Sequence, residues 1–328
     1  MAATLALLTA LTSCHAATPW RGIIKVAIVA PYSGPVTSPG QSLLIGARLA
    51  ESEINAAGGV DGYRVLLIAP DERQASTPSE VATDPLVMAV IGQLLPDDTG
   101  AVATYRRAGI VWLAAEPVAP GDGVYPMVAT TRSYYSALDR EIGASGVGTG
   151  GVVTDPAVAC QGASGRDAGI VVIGNVEAFC GGHPDRLAAI LADPPTGGRV
   201  ICVAAWCGAP ELAAWANGRP YDYVVPVAEP ASSVDWRSFV AATGGAARVE
   251  TDAAIGDDGV HLVADALRRA IARGQVNRQA IAEEMAATRY HGLLGQYDGA
   301  GSVAPVTEVR REAGSFPGQL MFRVEGQP

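Results

Sequence analysis

Apolar and polar positions along the first half of the chain fall into alternating short runs and longer amphipathic stretches. Residues Ile23 to Ala30 form an apolar run interrupted only by Lys25, the pattern of a strand buried on both faces. From Leu43 to Ala57 the apolar positions recur at helical spacing, and Gly58-Gly59 marks the stop. Further strands are predicted at Val65–Ala69, Leu86–Ile91 and Ile110–Ala114, with short helices at Pro78–Thr83 and Thr99–Arg107 between them. Asp97-Asp98 precede the second of these helices and are read as its cap.

The second half repeats the theme. Tyr134–Ile142 reads as helix, followed by a glycine-rich link at Gly146–Gly151. Strands are predicted at Ile170–Ile173, Val200–Ala205 and Tyr223–Val227, with helices at Pro184–Leu191 and Pro210–Ala216. Asp257–Arg273 is the clearest helix, with Val260, Val263, Ala264, Leu267 and Ile271 on one face and Asp258 as the expected N-cap. A second helix is predicted at Gln279–Thr288, and short strands joined by turns from Gln296 to Val324. Two runs of βα units predict an α/β fold of two doubly wound, Rossmann-like parallel-sheet lobes. Chain crossings near 132, 250 and 293 place lobe 1 at 22–131 plus 251–293 and lobe 2 at 132–250 plus 294–328.

Length and composition agree with two buried cores: 328 residues, 49% apolar and 17% charged. The net charge of −10 and the absence of a basic stretch argue against a nucleic-acid partner. The apolar run Ala2–Leu11 is too short to span a bilayer and fits the core of a secretion signal, so residues 1–21 are read as signal and tether. Leu11-Thr12-Ser13-Cys14 resembles the bacterial lipobox, making Cys14 the expected lipidation site at the outer face of the cell membrane. An ordinary signal with an incidental cysteine is the alternative. Cys160, Cys180, Cys202 and Cys207 remain, an even number in an exported chain, which predicts two disulfides with three possible connectivities. The short Cys202–Cys207 loop could close on itself, leaving Cys160 with Cys180. Their spacings are not those of a zinc site.

Four segments carry a family resemblance: Ile24–Val29 with Ser33-Gly34-Pro35; Gly46-Ala47 through Ile54-Asn55-Ala56-Ala57-Gly58-Gly59-Val60-Asp61-Gly62; Val90-Ile91-Gly92 with Ala108-Gly109-Ile110; and Gly256 through Leu267 to Tyr290-His291-Gly292. Together they resemble the type I periplasmic binding proteins of bacterial ABC importers, specifically the branched-chain amino acid (Leu/Ile/Val) binding group. The resemblance implies a two-lobed clamp, no catalysis and no cofactor, and a monomer that delivers a small-molecule ligand to ABC permease subunits. A lipoprotein of the same fold that signals to a membrane sensor or kinase is the alternative. The family's hydroxyl-bearing ligand positions fall here at Pro96 and Val118, and its carboxylate for the ligand ammonium near Val227, so the α-amino-acid clamp is largely missing.

In open α/β sheets ligands bind outside the carboxyl ends of the strands. On that rule the candidate ligand-binding residues are Tyr32, Ser33, Gln93, Leu95, Pro96, Asp97, Glu116, Pro117, Trp206, Glu229 and Asp257, an aromatic and acidic set suited to a cation or polyol. Catalytic signals are weak. Gly146-Val147-Gly148-Thr149-Gly150-Gly151 contains G-x-G-x-x-G without the strand before and helix after that a dinucleotide site needs. The four histidines are scattered, and the chain has neither a G-x-S-x-G elbow nor a phosphate-loop lysine. No catalytic residue and no metal site is assigned.

Overall fold

The computed structural model describes residues 20–94, 100–128, 130, 152–153, 170–173, 199–202, 208–211, 214, 221–225, 234–245, 250–303, 307–312 and 319–324. Its first sheet contains β1 (Gly22–Val29), β2 (Tyr63–Ile68), β3 (Val87–Gly92), β4 (Val111–Ala114) and β5 (Val124–Pro126), in the order β2-β1-β3-β4-β5. All pairings are parallel. Connecting them are α1 (Ser38–Ala56), α2 (Thr77–Thr83) and α3 (Ala101–Arg107). Later in the chain come α4 (Val234–Ala242), α5 (Glu250–Ala272) and α6 (Arg278–Ala286).

Side-chain alternation along the strands covers both faces of this sheet. Ile24, Val26 and Ile28 of β1 pack with Leu43 and Ala47 of α1 and Val260 and Leu267 of α5. Ala27 and Val29 point the other way, into a core with Val81 of α2 and Tyr105 of α3. A parallel strand buried on both sides must be apolar throughout, which is why the run Ile23–Ala30 was readable as one.

Helix α1 begins five residues before the predicted Leu43 because Pro39 sits in its first turn, where a missing N–H costs nothing. It ends as expected. Gly58 and Gly59 adopt φ of 97° and 75°, and the Gly59 N–H returns to the Ile54 carbonyl at 2.8 Å. The Asn55 side chain then bonds both backbone groups of Val65, and Glu51 accepts from the Leu67 N–H at 3.1 Å. These polar groups cover the open edge of β2. The Ile54–Gly62 stretch therefore does structural work: it ends a helix and seals an edge strand.

The second sheet has the order β14-β13-β9-β8-β7-β6. Strands β6 (Val152–Val153), β7 (Ile170–Ile173), β8 (Arg199–Cys202) and β9 (Tyr221–Val225) run parallel. Strand β13 (Thr307–Glu312) adds antiparallel to β9, and β14 (Gln319–Val324) pairs antiparallel with β13, as consecutive strands joined by a short connection do. A small antiparallel sheet of β10 (Arg289–His291), β11 (Gln296–Asp298) and β12 (Gly301–Val303) packs with β12 against β5. The chain passes between the two large sheets after β5, before α5 and after β12, giving the α/β two-lobed architecture that the sequence predicts.

Besides the early start of α1, three differences from expectation bear on the site and the core. Strand β5 has only three residues and ends in Pro126, which an edge strand tolerates but no alternation reveals. Helix α4 was not predicted; its Phe239 joins the core formed by α1 and α5. Helix α5 starts at Glu250, so Asp258 lies eight residues inside it and is not an N-cap. Its carboxylate instead accepts from the Leu293 and Leu294 N–H groups and the Tyr297 hydroxyl. The predicted helices at Tyr134–Ile142 and Pro184–Leu191 and the Gly146–Gly151 link lie outside the described residues.

Candidate ligand crevice

The strand order reverses at β1: the chain goes from β1 to β2 on one side and then crosses to β3 on the other. Loops leaving the carboxyl ends of β1 and β3 therefore diverge, and the space between them is where an open α/β sheet receives a ligand. On the β1 side this space is bounded by Ala30 to Gly34. On the β3 side it is bounded by Gln93 and Leu94.

The segment after β2 supports the β1 side. The Glu72 N–H donates to the Ala30 carbonyl at 2.9 Å. Asp71 Oδ1 accepts from the N–H groups of Tyr32 at 3.2 Å and Arg73 at 3.1 Å. Burial pushes the Asp71 carboxyl up, but hydrogen bonds from the Ser33 side chain and these two N–H groups outweigh it, and the net direction is down. Gly34 has φ of 84°, a conformation strained for any side chain, and lies under the Arg73 guanidinium, which an added Cβ would displace. Tyr32 turns its hydroxyl back to the Ile28 carbonyl at 3.0 Å, and burial drives its ionisation far above the ordinary range.

Gln93 is the unusual residue on the β3 side. It is 3% exposed, with a left-handed φ of 55° that non-glycine residues seldom adopt. Its N–H donates to the Val29 carbonyl at 2.7 Å, holding it against β1. Its side-chain oxygen is buried and has no hydrogen-bond partner among the described residues. Next to it, the Leu94 N–H donates to the buried Glu72 carboxylate at 3.0 Å. Behind it, the Trp112 indole N–H and the Ala115 N–H both donate to the Gly92 carbonyl. A strained residue with an unsatisfied polar atom, held so firmly on all sides, is the mark of a functional position.

Of the other sequence candidates, Ser33 stands beside Asp71, and Glu116 and Pro117 follow β4, partly buried. Asp257 belongs to a different group. It lies on α5 with His261 at 4.0 Å, and His261 in turn lies 3.6 Å from Glu53 of α1. Burial, with the charges of Asp258 and Glu53, pushes its carboxyl up to about 8. Leu95, Pro96, Asp97, Trp206, Glu229, Cys14, Cys160, Cys180 and Cys207 lie outside the described residues, as does the side chain of Cys202 at the end of β8. No group of three His, Cys, Asp or Glu residues fit to hold a metal occurs among the described residues.

Sequence reasoning passed over Asp71, Glu72, Ser38 and Glu211. The first two directly follow β2, so applying the strand-end rule to that strand would have found them. Glu211 carries no local signal. It meets the start of α1 from 173 residues away, accepting from the Ser38 hydroxyl at 2.7 Å.

Comparison with known proteins agrees with this fold. The model of the periplasmic binding protein family matches residues 23–169. The Leu/Ile/Val-binding protein of Citrobacter freundii is 33% identical over 102 residues, which is 30% of this chain and 28% of the relative's length. The branched-chain amino acid substrate-binding protein LivJ of Streptococcus pneumoniae, solved with isoleucine, superposes with a TM-score of 0.66 at 20% identity, covering 93% of this chain and 100% of LivJ. A solute-binding protein from R. palustris, solved with 4-hydroxybenzoate, gives 0.70 at 14% identity, covering 93% and 98% of the two chains. The fold of this chain is that of the type I periplasmic binding proteins, and its first half carries their sequence pattern.

Proposed function

We propose that this protein is an extracytoplasmic substrate-binding lipoprotein, tethered through Cys14, that captures a small polar or aromatic solute between its lobes. It hands the solute unchanged to the permease of an ABC importer. The observation that carries this reading is the buried, unpartnered oxygen of Gln93 at the point where the strand order reverses. Such an atom is satisfied when a solute brings an N–H or O–H donor to it. The nearby carboxylates support binding over chemistry: Asp71 and Glu72 are occupied by backbone N–H groups and brace the loops. The solutes held by similar folds include an amino acid and an aromatic acid, consistent with a scaffold whose specificity resides in the crevice loops.

A thermal-shift screen of amino acids, amines, polyols and aromatic acids is the direct test, because binding to the folded state raises the unfolding midpoint. The reading expects at least one class to raise the midpoint. It also expects Gln93→Leu to weaken that solute by roughly tenfold or more, since the lost acceptor leaves a donor unpaired. A panel with no hit, or a hit whose affinity is untouched by Gln93→Leu, would remove this assignment of the site.

A further inference from the structure

Helix α1 opens without a cap from its own neighbourhood. Thr37 at the N-cap position caps no backbone N–H with its side chain, which accepts instead from Gln41 Nε2 at 3.3 Å, and the first turn contains no acidic residue. The missing cap comes from elsewhere. Glu211 lies between β8 and β9 of the second sheet. Its Oε1 accepts from the Ser38 hydroxyl at 2.7 Å, the Ser38 N–H at 2.9 Å and the Thr37 N–H at 3.2 Å.

We propose that Glu211 is a latch that holds the two lobes closed by capping α1 across the cleft. This rests on reading the protein as a two-lobed clamp, since a latch has meaning only where lobes part and meet. The start of a helix carries exposed N–H donors and the positive end of its dipole, both of which favour a carboxylate. Three donors converging on one carboxylate oxygen form a charge-assisted contact, the strong kind. Parting the lobes would leave the N–H groups of Thr37 and Ser38 uncapped.

The latch sits at the crevice. Gly40, in the first turn of α1, lies so near the loop that follows β1 that an added Cβ would come within 2.7 Å of the Pro31 carbonyl oxygen. Closing Glu211 onto Ser38 therefore brings the second lobe over the β1 side of the binding space. Glu211 Oε2 is buried without a hydrogen-bond partner among the described residues. One oxygen accepts all three donors, and burying the other unsatisfied offsets part of what they contribute.

The test uses the full chain without any solute, so it reads the latch whether or not the binding assignment survives. X-ray scattering of the wild type, Glu211→Ala, Glu211→Gln and Ser38→Ala is combined with hydrogen exchange resolved along α1. Circular dichroism confirms that each variant is folded. The latch expects a compact wild type and a larger radius of gyration for Glu211→Ala. It also expects a roughly tenfold or greater shift of the closed-to-open ratio in that variant. Ser38→Ala gives a smaller shift, and Glu211→Gln, which keeps the acceptor and loses the charge, falls between. Protection is lost at the first turn of α1 while the rest of the helix stays protected, which general destabilisation would not produce. An expanded solute-free wild type overturns the proposal, as does a folded Glu211→Ala with unchanged scattering and exchange.

Discussion

Gly46 of α1 and Ala253 of α5 meet where the two helices cross, so closely that a Cβ on Gly46 would fall inside the Ala253 carbonyl. Gly256 makes the reciprocal contact with the Leu43 carbonyl. This crossing joins the helix that opens beside the crevice to the helix that brings the chain back from the second sheet.

Substituting Gly46 should therefore destabilise the fold. Gly46→Ala forces the helices apart and should cost about 1–3 kcal/mol, with Gly46→Val worse. Gly58→Ala is the control. A Cβ there meets nothing within 4 Å, and only the φ of 97° is strained, which should cost about 1 kcal/mol. Urea unfolding of the three variants checks the order; a Gly46→Ala protein as stable as wild type would show that the crossing can relax.

A second prediction concerns pH. Asp257 and Asp258 are neighbours on α5, and burial raises them to about 8 and about 6. Glu53, His261, Tyr290, His291 and Tyr297 are the titratable groups around them. Both folded values lie above the unfolded value of about 3.9. The native state thus binds more protons between these limits. The contribution is fully present below about pH 4 and is lost as pH rises toward about 8. Asp257→Asn stays neutral throughout. It should match wild type below about pH 4 and exceed it increasingly up to pH 8, by on the order of 5 kcal/mol for a shift from about 3.9 to about 8, in urea unfolding. Parallel pH profiles for the two proteins would show that Asp257 does not titrate in this window.

A third prediction concerns the ligand. Leucine, isoleucine and valine should bind poorly. Their carboxylate and ammonium groups both need charge-assisted partners in a dry cleft. The alignment puts Pro96, Val118 and Val227 where the family carries hydroxyls and a carboxylate, and Val118 packs against the apolar core beneath β4. One unpaired charge costs several kcal/mol, on the order of two or more decades of affinity. Calorimetry with leucine decides: a micromolar or tighter dissociation constant would mean these loops are aligned wrongly.

The sequence by itself determined the elements whose burial leaves a local imprint. The doubly buried β1 and the one-sided α5 were legible because each packs against a continuous apolar layer, and the Gly58-Gly59 stop of α1 because that helix end takes positive φ. Gln93 was legible as a strand-end position, because strand ends can be read from where apolar runs stop. Tertiary structure decided what those positions do. It set Gln93 in a left-handed turn with its side-chain oxygen unpartnered, which depends on how β1 and β3 sit side by side. It placed Asp258 inside a helix as the anchor of the 293–297 turn, although its neighbours had suggested a cap. It joined Glu211 to Ser38 across 173 residues. Hydrophobic periodicity reports which face of a segment is buried. It does not report which distant polar group arrives to satisfy the start of a helix, because the lobes' packing chooses that partner.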